Sequence, residues 1–102
     1  MPTWYDSATI ADSETFGADE TKTANVSQYH TPAVCVSLES LDGSADDTIT
    51  IAITGSVGTY EVDERTLSAA GSYVVDVPQA ESVELTSANG TTISAEARNN
   101  PR

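Results

Sequence analysis

Covalent hydrolysis needs a nucleophile, a base and an acid to orient it. The sequence supplies one cysteine, Cys35, and one histidine, His30. Cys35 stands in the apolar run Ala33-Val34-Cys35-Val36, where a thiol serves as a small core residue. His30 lies between Tyr29 and Thr31-Pro32, a loop composition, and reads as an exposed loop histidine. No Gly-x-Ser-x-Gly elbow is present. Zinc sites draw on clustered Cys and His, and one of each is too few. Hard cations fit better, because Asp42, Asp46 and Asp47 crowd one turn. That turn lacks the glycine position and the closing acid of an EF-hand loop. It is the one metal candidate, for calcium, magnesium, sodium or potassium. No organic cofactor is expected. Carboxylate pairs of the kind that cleave glycosides arise by chance among 16 acids, and no glycine-rich loop opens a helix to hold phosphate. The expectation is a protein without an active site. Asn25-Val26-Ser27 and Asn89-Gly90-Thr91 match the glycosylation sequon, a triplet common in chains rich in Ser and Thr.

Charge narrows the partners. The 102 residues carry 16 acids against 4 lysines and arginines, a net charge of −12, spread from Asp6 to Glu96 rather than gathered in a tail. Nucleic acid and anionic membranes both need basic residues and are excluded as partners. Self-repulsion on this scale destabilises a compact domain in dilute buffer. At about 1 M salt the screening length falls to roughly 3 Å and the repulsion nearly vanishes. Dispersed carboxylates, scarce lysine and abundant Thr, Ser and Ala together look like a halophilic, haloarchaeal composition.

The elements that hold these residues follow a period of two. In Thr48-Ile49-Thr50-Ile51-Ala52-Ile53-Thr54 the isoleucines share one face and the threonines the other, as strand geometry dictates. Val34, Val36 and Leu38 share a face, as do Tyr60 and Val62, Tyr73 and Val75, Val83 and Leu85, and Ile93, Ala95 and Ala97. Tyr60 and Tyr73 read as core. Weaker strands run over residues 5–10 and 21–26, and residues 63–70 suit one short helical turn. Asp42-Gly43-Ser44, Gly55 to Gly58 and Asn89-Gly90 are turn signals. Pro32 and Pro78 mark strand ends. Seven or eight short strands in a chain of this length predict an all-β fold. The architecture is a single antiparallel β-sandwich, jelly-roll-like, over residues 1–102. Residues 1–7 and 98–102 are expected to be extended contact segments. Trp4, Tyr5 and Arg102 are the interface candidates, since Trp and Tyr concentrate at binding hot spots. No membrane-length apolar segment occurs. The N-terminus lacks a basic region followed by an apolar one, so no signal peptide is expected.

The order of features resembles the small jelly-roll or immunoglobulin-like domains that decorate the heads of tailed viruses. The likeness rests on the weak first strand Ala8-Thr9-Ile10 and on the step Tyr29-His30-Thr31-Pro32-Ala33 into Val34-Cys35-Val36. It continues in Val77-Pro78-Gln79-Ala80-Glu81-Ser82-Val83-Glu84-Leu85-Thr86-Ser87. With the composition, it is similar to a decoration or turret protein of a haloarchaeal tailed virus. That resemblance implies contact with the major capsid protein or other virion proteins and no catalysis. It implies a homo-oligomer, trimer or pentamer, in the virion after assembly in the host cytoplasm. The alternatives are a carbohydrate-binding sandwich module and a subunit of a host surface assembly.

Overall fold

The computed structural model describes residues 7–41 and 46–99, with the backbone alone for Leu41. Eight strands follow one another: β1 (Ser7–Phe16), β2 (Glu20–Asn25), β3 (Pro32–Leu41), β4 (Asp47–Gly55), β5 (Gly58–Leu67), β6 (Gly71–Asp76), β7 (Ser82–Ser87) and β8 (Thr91–Asn99). There is no helix among the described residues. The strands form two four-stranded sheets, ordered β1-β8-β3-β6 and β2-β7-β4-β5, with every pairing antiparallel.

Alternation in the sequence becomes two layers. Ile49 and Ile51 on β4, Val83 and Leu85 on β7, Val34, Val36 and Leu38 on β3, and Ile93 and Ala97 on β8 are buried between the sheets. Each of these Ile, Leu and Val side chains stabilises the fold by about 1.5–3 kcal/mol relative to exposure. Phe16, Val26 and Tyr29 close the core beside the first strands. The opposite faces carry hydroxyls. Thr21 bonds Thr86 at 2.7 Å, Thr48 bonds Thr66 at 3.0 Å, and Thr54 bonds Thr59 at 3.1 Å. Such cross-strand pairs support a sheet without apolar surface. The β4–β5 hairpin turns through Ser56-Val57 into Gly58 at φ 133°, and the β7–β8 turn passes through Gly90 at φ 101°, backbone that L side chains rarely adopt.

Three sequence expectations change. Residues 63–70 hold no helical turn: β5 runs on to Leu67 because its backbone pairs with β4 as far as Asp47. Cys35 is not a core residue. Val34 and Val36 take the inner face, so Cys35 is turned outward, in register with Val74 and Glu96. Tyr60 sits opposite Ile53 but at the open end of the sandwich, and is 53% exposed.

Candidate functional site

The turn that gathers acids is used by the fold itself. Asp47 opens β4 and is fully buried. One carboxylate oxygen accepts the Ser87 hydroxyl at 2.6 Å, and the other accepts the Asn89 backbone N–H at 2.8 Å. Ser87 Oγ in turn accepts the Gly90 N–H at 3.1 Å, and the Asn89 amide donates to the Asp46 carbonyl at 2.6 Å. The carboxylate thus fastens the β7–β8 turn to β4, and a cation drawn here would compete with Ser87 and Asn89 for it. Asp46 is exposed. Asp42 lies outside the described residues, as do Trp4, Tyr5 and Arg102. Among the described residues no three His, Cys, Asp or Glu side chains are grouped to hold a metal. His30 is exposed in the β2–β3 loop.

The outer face of the β1-β8-β3-β6 sheet is shaped into an open hollow of about 610 Å³, lined by Thr9, Asp12, Cys35, Ser37, Val74 and Glu96 among others. Burial pushes the Cys35 thiol up, away from the reactive thiolate. Beside it, Ser13 and Ser94 hydroxyls both donate to Glu39, at 2.8 and 2.7 Å, and hold its carboxyl below the usual range. The Ser13 N–H donates to Ser94 Oγ at 2.9 Å, which fixes Ser13 at φ 49° in a bulge of β1. A second hollow of about 530 Å³ lies at the β4–β5 turn, where Val57, 79% exposed, and Tyr60 stand near Ser27, Gln79 and Glu81.

Across the far margin of the sandwich, the Arg65 guanidinium of β5 stacks 4.1 Å from the Tyr73 ring of β6 and lies 3.7 Å from Asp63. The Tyr73 hydroxyl and one Asp63 oxygen are buried without a hydrogen-bond partner. Burial pushes the Tyr73 phenol up to about 12. Sequence reasoning missed Val57 as a surface residue. Val74 lies outward, 62% exposed, as its alternation with Tyr73 and Val75 in the sequence predicts.

Two sheets in these orders define the class: an eight-stranded jelly-roll sandwich. No known protein family matches the chain, and no curated protein does. Solved structures do share its fold. A chain of Bacillus endospore appendages, a family of disulfide-linked pili, is similar over 92% of this chain and 81% of its own length, with a TM-score of 0.52 and 14% identity. A chain of infectious bursal disease virus, Gx strain, is similar over 92% of this chain, with a TM-score of 0.50 and 14% identity. This chain spans 31% of that longer one.

Proposed function

We propose that this chain is a structural subunit of a virion, a capsid decoration or turret protein. It docks onto the major capsid protein or other virion proteins as a homo-oligomer in high salt. The observation that carries the reading is the jelly-roll sandwich itself. Its surface is hydroxyls and carboxylates interrupted by exposed apolar side chains at Val57, Tyr60 and Val74. Contact, with no catalytic step, is the work such a surface suits. The fold it shares with chains from a virus and a pilus supports an assembly role. The haloarchaeal setting rests on the net charge of −12. Cations bridge carboxylates between subunits in this reading, and the protein reaches the virion after assembly in the host cytoplasm.

The test is a mass-spectrometric inventory of virions banded on a density gradient from the source culture. A fixed, substoichiometric ratio of this chain to the major capsid protein supports the proposal. Its recovery only in the unbanded soluble fraction refutes it. A second reading, a carbohydrate-binding module, is favoured by the exposed Tyr60 ring beside Gln79, Glu81 and Ser27, since sugars stack on exposed aromatic faces. Binding on a glycan array that Tyr60→Ala abolishes would select it.

A further inference from the structure

Four strands end the two sheets, and each open edge offers a row of backbone donors and acceptors to any other strand. Three of the four carry devices against such pairing. β1 is broken by two register shifts, with Ser13 at φ 49° inside the second. β2 directs Lys22 toward Phe16, 5.5 Å from the ring, and pairs it with Glu14 and Glu20. β5 shifts register at Val62 and places Asp63 and Arg65 opposite the buried Ile51 and Ile49. Bulges and inward-pointing charges are the usual guards of an exposed edge. β6 has none of them. It pairs with β3 without a register shift, contains no Pro, Lys or Arg, and ends in its single charge, Asp76. Its outward-facing central residue, Val74, is 62% exposed.

We infer that β6 is the edge by which two copies of this chain join, antiparallel about a two-fold axis at Val74. The two outer sheets then become one continuous sheet. This deepens the assembly reading above by naming the partner as a second copy. The strand is complementary to itself. A two-fold axis normal to the sheet keeps outward residues outward. Val74 therefore meets Val74 of the second copy, and Ser72 meets its Asp76. On the inner face Tyr73 meets Val75. The two Asp76 carboxylates fall at opposite ends of the pairing, roughly 14 Å apart at about 3.4 Å per residue, beyond the screening length in physiological salt. Parallel pairing would instead set them side by side. Because Arg65 ties β5 to Tyr73, the acids Glu61 and Glu64 of β5 approach those of the second copy. Association is therefore weak in dilute salt and strengthens as salt rises.

The test uses the full chain in size-exclusion chromatography with light scattering, from about 0.1 M to about 1 M KCl, where screening changes most. A monomer in dilute salt and a dimer in concentrated salt are expected. Val74→Lys and Val74→Asp each place like charges face to face on the axis and weaken the dimer roughly tenfold or more. Mixing the two variants restores a dimer with one copy of each. Val74 is on the surface, so both variants keep the parent circular-dichroism spectrum. Amide exchange of the unaltered chain gives a reading free of variants: in high salt the β6 amides gain protection as protein concentration rises, and those of β1 and β2 do not. A monomer at every salt concentration overturns the inference. So does a trimer, pentamer or dimer that both variants retain, or concentration-dependent protection at β1, β2 or β5 in place of β6. Absence from banded virions would sink the virion assignment alone, while a chain present there but monomeric in solution at every salt would sink the β6 pairing alone.

Discussion

Asp47 is the residue whose removal the fold should feel most for its size. Its two oxygens accept the hydroxyl of the fully buried Ser87 and the backbone N–H of Asn89. Asp47→Ala leaves those donors unmatched and should cost about 1–3 kcal/mol, read as a lower urea midpoint at unchanged slope. Tyr73 is the opposite case. Its hydroxyl is buried without an acceptor, so Tyr73→Phe discards an unsatisfied group and should be neutral or stabilising by up to about 1 kcal/mol. The phenol also sets an alkaline limit. Its folded pKa of about 12 lies above the ordinary value of 10.0, so the folded state favours the neutral form. That advantage is complete below pH 10 and is lost as pH rises through about 12. An ultraviolet titration should show a late-ionising step that is missing from the Phe variant.

At the level of strands, the inner rows of β4 and β7 do most of the holding. Ile51 and Leu85 face each other in register and are both fully buried. Ile51→Ala should destabilise by about 2–5 kcal/mol, measured by denaturation, because the sandwich cannot collapse around the void. β4 was legible in the sequence because isoleucine and threonine alternate without a slip. β5 was only half legible. Tyr60-Glu61-Val62 announces a strand, but the residues Asp63-Glu64-Arg65-Thr66 look like a solvated turn, and their register is imposed by the neighbouring β4. Cys35 was misplaced because a short apolar run hides which of its members face in. The parity of Val34, Val36 and Leu38 already held the answer. Which strands lie at the edges was not legible at all. Edge position depends on pairings between distant segments, such as Ser7 with Arg98, that no local pattern encodes. Local composition points to Trp4, Tyr5 and Arg102 as contacts, whereas the guards on β1, β2 and β5 are visible only once the sheet order is known.

The whole molecule carries its charge as a distributed load. With 16 acids on a chain of 102 residues, the repulsion is felt by every part of the compact state and relaxed by unfolding. The thermal midpoint should therefore climb steadily between about 0.1 M and about 1 M KCl, as the screening length contracts from roughly 10 to roughly 3 Å. A midpoint indifferent to KCl over that range would show that the acids are already neutralised locally.

The strand order also dictates how the molecule is made. The sheet neighbour of β1 is β8, and the neighbour of β2 is β7. A nascent chain leaving the ribosome therefore carries its first two strands unmatched until almost everything else has been synthesised, a demanding schedule for any β topology. In a polysome, identical unfinished chains hang side by side through that interval. The kink at Ser13 and the charge of Lys22 sit on the two strands that wait longest, where they discourage one chain from adopting another's. β6 can pair with β3 as soon as it is made. Its outer edge is therefore open before β7 and β8 are made, and only the brevity of that interval shields it from a neighbouring chain.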